Sequence, residues 1–214
     1  MQIVNGSQAF NFNYPSWDEN TGLFVQASIY DITSGTASLV TTVEMTNDAF
    51  GVYSGNYTGA ANKLYLVIML VYTDDTFETI DTTRAPGSEC YTTQQTITTI
   101  AFDYGAFDQA TGLYLQASVY DMTSGTPSLA AKVALTQVLG GVYFGIYAGS
   151  VSKAYLAAIA SYTSNAYSTL DTTRAPAAQS FQTFSSGNVS IFNSLVAATL
   201  TGNQLAGVLI GDTA

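Results

Sequence analysis

Apolar and polar side chains alternate along several segments of the chain. Within residues 22–31, Leu23, Val25, Ala27 and Ile29 occupy every second position. A period of two places one set of side chains on a core face and the other set outward, which is typical of a β-strand. No helical pattern precedes residue 186. In the first half of the chain this pattern predicts seven strands, at approximately 2–4, 8–14, 22–31, 38–45, 50–58, 63–73 and 76–82.

Short turns and longer loops separate these strands. The turns at 33–36 and 73–76 are short enough for hairpins, so the third and fourth strands and the sixth and seventh strands are predicted to pair. The loops at 15–21 and 59–62 are long enough to carry the chain from one sheet to another. Alternating hairpins and crossovers are the connectivity of an immunoglobulin-like Greek-key β-sandwich, so we predict an all-β protein of that kind.

The chain contains this unit twice. When the sequence is shifted by 90 positions, residues 12–91 match residues 102–181 at 37 of 80 positions without a gap. A repeat of this length indicates a duplicated domain and is too long for a solenoid unit. We therefore predict immunoglobulin-like domain 1, immunoglobulin-like domain 2 and a C-terminal apolar extension, over residues 1–91, 92–182 and 183–214. The two domains are called copy one and copy two below.

Each copy also resembles the late strands of bacterial and phage immunoglobulin-like modules. Those modules commonly contain a G-x-Y-x-x-x-Y-T segment, then a small loop, then a Y-x-V strand. The matching segments here are 51–58 and 63–67 in copy one, and 141–147 and 153–156 in copy two. The resemblance implies that Tyr65 and Tyr155 form the tyrosine corners of two sandwiches.

The composition excludes several classes of function. Charged residues make up 9% of the chain, and the net charge is −10 with only five Lys and Arg residues. Because nucleic-acid binding depends on clustered cations, that class is excluded. Histidine is absent and Cys90 is the only thiol, which excludes a histidine-based triad, a histidine metal site, a zinc finger and an intrachain disulfide. We therefore expect a protein that is not an enzyme and uses no cofactor.

The N-terminus and the apolar runs bear on the location of the protein. Residues 1–7 have neither a cationic start nor a long apolar stretch, so they do not resemble a secretory signal and synthesis in a cytoplasm is expected. The longest apolar run extends from Leu64 to Tyr72, whereas a membrane-spanning helix needs about 20 apolar residues. We therefore expect no membrane partner.

The two copies differ in charge and in side-chain size. The net charge is −8 over residues 1–91 and −1 over residues 92–182. Copy two also carries Ala157, Ala158 and Ala160 where copy one has larger apolar residues of a kind found in cores. We predict that copy two contacts partners while copy one projects outward. Accordingly, a fragment ending at residue 91 should be a soluble monomer, whereas the remainder of the chain should self-associate.

The C-terminal extension is apolar and almost uncharged. Between residues 185 and 214 the only charged side chain is Asp212. An exposed segment of this kind would be an aggregation hazard, so we expect it to pack on its own domain, on a neighbouring copy or on a lattice. The residues predicted to bind a partner are Phe192, Leu195, Val196, Leu200, Leu205, Val208, Leu209 and Ile210.

One loop has the oxygen-bearing side chains of a weak calcium site. Asp18 and Asn20 stand at alternate positions of the loop, as ligands of a calcium loop do. The equivalent loop of copy two, at 108–112, loses two of the oxygen ligands, and the full twelve-residue calcium loop is absent. An Asx-type turn is therefore the preferred interpretation, and we expect no metal.

Carboxylates that recur in both copies are the remaining candidates for chemistry. Asp31 recurs as Asp121, and Asp81 recurs as Asp171. Two carboxylates held ~5–9 Å apart in a cleft can hydrolyse glycosides. These residues adjoin turns or linkers, however, and no nucleophile motif accompanies them, so a structural role is preferred.

An arginine follows the second of these aspartates in each copy. Arg84 and Arg174 stand three residues after Asp81 and Asp171, just before an Ala-Pro sequence. We expect each arginine to pair with that aspartate or with the neighbouring domain. Either arrangement would stiffen the chain as it leaves the domain.

Two aromatic residues occupy equivalent loops. Trp17 and Phe107 lie close in sequence to Tyr14 and Tyr104. An exposed aromatic side chain at a sandwich end is a common platform for stacking on a sugar ring, so both residues are candidates for ligand binding. The preferred interpretation is an aromatic plug that covers the end of each sandwich.

Taken together, these features resemble the accessory virion proteins of tailed phages. The resemblance implies a capsid decoration or head-fibre component, or a tail protein, made in the host cytoplasm and located on the virion. Its partner would be a major capsid or other virion protein, and the chain would be homo-oligomeric or bound to a lattice. The alternative is a carbohydrate-binding or adhesion module on a microbial surface or a phage tail.

Overall fold

The computed structural model describes residues 8–93 and 98–183, which cover the two copies of the repeat. Every named regular element in these residues is a β-strand, so the prediction of an all-β fold is confirmed. None of the described residues belongs to a helix long and apolar enough to cross a membrane. The strand predicted at 2–4 lies outside the described residues.

Each copy contributes seven strands to the described chain. The strands of copy one are β1 (Gln8–Pro15), β2 (Phe24–Asp31), β3 (Ser38–Glu44), β4 (Thr46–Ala49), β5 (Val52–Gly59), β6 (Leu64–Tyr72) and β7 (Gly87–Thr92). The strands of copy two are β8 (Thr99–Gly105), β9 (Tyr114–Asp121), β10 (Ser128–Ala134), β11 (Thr136–Gln137), β12 (Val142–Ala148), β13 (Ala154–Tyr162) and β14 (Ala177–Gln182).

The strands of each copy form a four-stranded and a three-stranded sheet. The orders are β3-β2-β6-β7 and β1-β5-β4 in copy one, and β10-β9-β13-β14 and β11-β12-β8 in copy two. The paired strands are antiparallel. The predicted crossovers at 15–21 and 59–62 are confirmed, because β1 and β2, and likewise β5 and β6, lie in different sheets.

A core fills the space between the two sheets of each copy. Val25, Ala27 and Ile29 of β2 are at most 1% exposed, and they pack with Phe10 and Phe12 of the opposite sheet. The alternation in the sequence therefore separates the core face of β2 from its outer face. Copy two builds an equivalent cluster between its own two sheets.

The predicted pair of third and fourth strands is confirmed, but the strand that follows them, β4, was not predicted. β2 and β3 are antiparallel neighbours, with Asp31 opposite Ser38 at the hairpin end. The chain leaves this sheet at Met45, whose N–H donates to the carbonyl of Val25 at 2.9 Å. β4 then pairs with β5 in the other sheet. Nothing in the alternation marks this change of sheet, because polar residues surround it.

The strand predicted over 76–82 is wrong. Within it, Ile80 forms only an isolated bridge to Tyr72, and β6 pairs with β7 instead. The side chains of Asp74 and Asp81 each accept a hydrogen bond from the backbone N–H two residues later, at 3.0 and 2.9 Å. These Asx turns favour a turn over an extended ladder. The last strand of copy one therefore lies where the sequence predicted the domain boundary.

Copy one extends slightly beyond the predicted boundary at residue 91. β7 runs through Thr92, and the N–H of Thr93 still donates to the carbonyl of Lys63 at 2.9 Å. The N–H of Thr183 makes the equivalent bond to Lys153 at 2.8 Å in copy two. In both copies, therefore, the threonine just after the last strand makes the same backbone hydrogen bond.

Both predicted tyrosine corners have the hydrogen bond that the motif requires. The hydroxyl of Tyr65, near the start of β6, accepts from the backbone N–H of Ala60 at 2.9 Å. The hydroxyl of Tyr155 accepts from the N–H of Ser150 at the same distance. In a tyrosine corner the hydroxyl bonds to backbone a few residues upstream. The immunoglobulin-like classification of the sandwiches stays a prediction.

The two copies share a third apolar core. The outer face of the four-stranded sheet of copy one packs against the outer face of the three-stranded sheet of copy two. β6 contributes Leu64, Leu66, Ile68 and Leu70, each at most 1% exposed. Every residue of β6 is buried as a result. This explains the apolar run in the sequence, since a strand covered on both faces needs no polar positions.

The faces that remain free differ from the faces that are covered. No described residue covers the outer face of the three-stranded sheet of copy one, which carries Asn11, Ser54 and Asn56. Their counterparts in the interface belong to the shared apolar cluster; they are Ala101, Phe144 and Ile146. The duplicated sequence has therefore become apolar where the copies meet and polar where copy one meets solvent.

The three alanines of β13 that differ from copy one lie on both faces of its sheet. Ala157 faces the core of copy two, but Ala158 and Ala160 lie on the free outer face of its four-stranded sheet. The equivalent positions in copy one are Ile68 and Leu70, which are covered by copy two. Ala158 and Ala160 therefore lie on a face that no other sheet of the described residues covers. They are not part of the core of copy two.

Candidate functional site

The two candidate aromatic residues border one groove. Trp17 and Phe107 are 77% and 76% exposed, so the preferred interpretation as buried plugs is wrong. They occupy equivalent loops of different copies, yet the stacking of the copies brings both to a groove of about 530 Å³. Tyr14 and Pro86 also line it. We call this the aromatic groove.

Backbone contacts hold the loop that carries Trp17. The N–H of Ser16 donates to the carbonyl of Gly51 at 2.8 Å, and the N–H of Glu19 donates to the carbonyl of Ser16 at 3.1 Å. Gly51 has a φ of 73°, and a Cβ placed on it would lie 2.6 Å from the carbonyl carbon of Glu19. These contacts hold the loop against Gly51, the residue just before β5, while the indole of Trp17 stays exposed to solvent.

Arg84, in the segment between β6 and β7, contacts this loop. Its guanidinium donates two hydrogen bonds to the carboxylate of Asp18, both 2.8 Å long. These bonds, above all other contacts, hold the pKa of Asp18 well below its usual range. The Cζ of Arg84 lies 5.8 Å from the centroid of the Trp17 ring, which is within cation–π range. The arginine therefore orients both neighbours in the loop.

The predicted pairing of each arginine with the aspartate three residues before it is wrong. Arg174 pairs with Asp108 at 2.6 Å, which repeats the arrangement of copy one. Asp81 and Asp171 instead accept the backbone N–H of the threonine two residues later, at 2.9 and 3.0 Å. Because the local turn already satisfies these carboxylates, each arginine reaches a loop far away in the sequence.

The loop does not offer the free oxygen ligands that the calcium interpretation needs. The carboxylate of Asp18 is bound by the guanidinium, and the hydroxyl of Ser16 also donates to it. Oδ1 of Asn20 accepts the N–H of Gly22 at 2.9 Å, as in the Asx turn that was preferred. The described residues contain no group of three or more His, Cys, Asp or Glu side chains placed to hold a metal.

The other carboxylate candidates for hydrolysis are engaged in ion pairs. Asp31 pairs with Lys63 at 2.7 Å, and Asp121 pairs with Lys153 at 3.0 Å. Each pair joins the end of one central strand of the four-stranded sheet to the start of the next. This geometry supports the structural role that was preferred for both aspartates.

The Asp121 pair should make stability depend on pH in the acid range. Hydrogen bonds from Thr123, followed by Lys153, lower the pKa of Asp121 to about 2. A folded pKa below the unfolded value of about 3.9 adds stability that is complete above about pH 4 and lost as the pH falls through 2. Asp121→Asn should therefore lower the free energy of unfolding near neutral pH.

Urea unfolding of Asp121→Asn and the unaltered chain checks this expectation. The difference in the free energy of unfolding should shrink between about pH 6 and about pH 2.5. Over that interval the Asp121 carboxyl becomes protonated in the unfolded chain, while in the folded chain it stays mostly ionised. A difference that stays constant with pH would show that the Asp121 side chain stabilises the fold without its charge.

A second groove continues from the aromatic groove along the junction of the copies. It has a volume of about 630 Å³. The residues common to both grooves are Pro15, Pro86, Gly87 and Phe107. Three carboxylates line the second groove, those of Glu89, Asp103 and Asp108. We call it the acidic groove.

Two of these carboxylates lie where the copies meet. Asp103 accepts a hydrogen bond from the hydroxyl of Ser88 of copy one, and Nε2 of Gln179 donates to its backbone carbonyl at 3.0 Å. Glu89 is half-buried and accepts from the hydroxyl of Tyr91; burial raises the pKa of its carboxyl. A carboxylate offers about four lone-pair positions, so Glu89 retains capacity to accept from a ligand.

Sequence reasoning did not single out Glu89 and Asp103. Their counterparts in the other copy are Gln179 and Asn13, which are similar in shape but uncharged. The sequence did contain a signal: at each of these two positions one copy has a carboxylate and the other copy has an uncharged side chain. All four side chains line the acidic groove, so both pairs of matching positions meet at the junction.

The predicted partner-binding residues of the C-terminal extension, from Phe192 to Ile210, lie outside the described residues. Their role in binding stays a prediction.

No protein-family model matches the chain, and no curated protein matches it.

Proposed function

We propose that this chain is a non-catalytic structural protein of a virion, in the class of capsid decoration, head-fibre or tail components of tailed phages. The observation that supports this most is the contrast between the two sheet faces that no other described sheet covers. The face of copy one carries Asn11 and Asn56. The face of copy two carries Leu156, Ala158 and Ala160, and we call it the alanine face. One face suits display in water and the other suits contact with a protein surface.

The interface between the copies supports the same proposal. Because the two sandwiches share an apolar core, a partner bound at copy two would hold copy one at a fixed position. A fixed spacer with a polar end is what a particle-surface protein requires. The partner would be a major capsid or other virion protein that presents many identical sites, and neither a nucleic acid nor a cofactor enters this proposal.

Immunogold labelling of lysates from the native source tests the assignment. Antiserum raised against the full chain should label particles, with gold at regular positions on the head or tail. Labelling confined to cell envelopes would contradict the virion assignment and would favour the alternative adhesion function.

Binding of altered chains to those particles tests which face makes contact. Ala158→Glu puts a charge on the alanine face of copy two and should weaken binding to particles by about tenfold or more, because the contact would bury an unpaired charge. Asn56→Glu puts the same charge on the polar face of copy one and serves as the matched control. Equal binding by both variants would show that the alanine face is not the contact surface.

A further inference from the structure

We infer that the junction of the two copies binds a neutral oligosaccharide, with Trp17 and Phe107 as stacking surfaces. Both side chains are more than three-quarters exposed, although water is an unfavourable environment for large aromatic surfaces. They come from different copies and still border the same groove. The carbon-bound hydrogens on the face of a pyranose ring would cover these aromatic faces while its hydroxyls stay solvated.

The polar groups beside the aromatic groove match a ligand rich in hydroxyl donors. Glu89 and Asp103 line the adjoining acidic groove together with Asn13, whose side chain is exposed. Arg174 binds only Oδ1 of Asp108, whereas the copy-one arginine binds both oxygens of its aspartate. Oδ2 of Asp108 is therefore open to a ligand, and adjacent sugar hydroxyls are suitable donors to a carboxylate.

Other ligand classes fit this lining less well. An anionic ligand would approach three carboxylates and one guanidinium, that of Arg174, which is already bonded to Asp108, in a chain with a net charge of −10. A proline-rich peptide would suit the aromatic residues, but its backbone offers carbonyl acceptors and few N–H donors, so the remaining acceptor positions of the carboxylates would receive no hydrogen bond from it. A neutral sugar chain satisfies both the aromatic and the acidic parts of the lining.

The dimensions agree with a ligand of a few sugar rings. The two grooves have volumes of about 530 and 630 Å³, each within the roughly 300–1,000 Å³ typical of ligand sites. They share lining residues, so a chain of linked rings extends from the aromatic groove into the acidic groove. Binding at this site is independent of whether the protein belongs to a virion.

A glycan microarray probed with the full chain identifies the sugar, and tryptophan fluorescence then locates it. Trp17 is the only tryptophan, so stacking of a ring on it should change the emission as the selected neutral oligosaccharide is titrated. Trp17→Ala and Phe107→Ala should each weaken binding by roughly tenfold, as loss of an aromatic stacking surface predicts. Calorimetry measures the affinity of the variant that lacks tryptophan.

Phe50→Ala is the matched control. Phe50 is 80% exposed and does not line either groove, so its removal should leave the affinity unchanged. All three side chains are exposed, and circular dichroism verifies that the variants fold. The inference is overturned if no neutral glycan is retained on the array, or if binding survives the combined Trp17→Ala and Phe107→Ala changes. It is also overturned if a proline-rich decapeptide binds at Trp17 more tightly than every glycan.

Discussion

Leu66→Ala is expected to lower the free energy of unfolding by about 2–5 kcal/mol, whereas Leu156→Ala should lower it by less than about 1 kcal/mol. The two leucines occupy equivalent positions of β6 and β13. Leu66 is 0% exposed beneath copy two, and Leu156 lies partly exposed on the free face. Because both substitutions remove the same atoms, the difference between them measures the interface between the copies.

Denaturant unfolding of the full chain gives both values, and Cys90 supplies a second measurement. Cys90 lies opposite Leu66 in the β6–β7 ladder, is 5% exposed and is the only cysteine. Burial raises the pKa of its thiol well above the usual value, so it should react slowly with a maleimide. Leu66→Ala should speed this reaction and Leu156→Ala should not. Equal destabilisation by the two substitutions would contradict the shared core.

The shared core also revises the expected behaviour of isolated fragments. The charge of copy one favours solubility, and on that basis residues 1–91 were expected to form a soluble monomer. Without copy two, however, that fragment would expose the outer side chains of β6, including Leu64, Leu66 and Ile68. A contiguous apolar patch of this kind promotes association. The structure therefore favours one two-copy unit over two independent domains.

The sequence predicts the strands of this fold better than it predicts their partners. Alternation marks β2 and β3 because one face of each is buried and the other is not. It cannot distinguish the pairing of β6 with β7 from a pairing with residues 76–82, since both segments contain apolar residues near a turn. The decision lies in the side-chain hydrogen bonds of Asp74 and Asp81, which convert the nearer segment into turns.

The same limit applies to the candidate site. Trp17 and Phe107 could be singled out as equivalent aromatic residues in loops, but their exposure depends on contacts that are distant in the sequence. Arg84, for example, reaches Asp18 across 66 positions because the nearer carboxylate of Asp81 is already bonded within its turn. A single sequence does not show which of two available carboxylates a guanidinium will bind.

Differences between the copies carry more information about the site than features they share. Shared features, such as the tyrosine hydroxyl bonds and the lysine–aspartate pairs, maintain each sandwich. Features of one copy alone lie at the junction or at the free faces. Gly140 is an example: a Cβ on it would lie 2.7 Å from Cδ2 of Leu70 across the interface, while copy one has Phe50 at that position, 80% exposed. Comparing the copies therefore substitutes in part for comparing relatives.

Gly51→Ala should destabilise the chain by about 2–5 kcal/mol, which combines about 1–2 kcal/mol for a left-handed alanine with about 1–3 kcal/mol for steric overlap. Gly51 has a φ of 73°, and an added Cβ would meet the backbone of Glu19 at 2.6 Å. Backbone cannot rotate away as a side chain can, so the loop carrying Trp17 and Asp18 must move. The contact between Trp17 and Arg84 should be disturbed with it.

Gly35→Ala is the control for the conformational part of this effect. Gly35 has a φ of 84°, and an added Cβ would meet nothing within 4 Å, so only the cost of about 1–2 kcal/mol should appear. Urea unfolding followed by circular dichroism gives both values, and the emission of Trp17 reports movement of its loop. The emission should change with Gly51→Ala and not with Gly35→Ala, since the second turn lies apart from the groove. Equal costs and unchanged emission would mean that the contact between Gly51 and Glu19 does not position the aromatic groove.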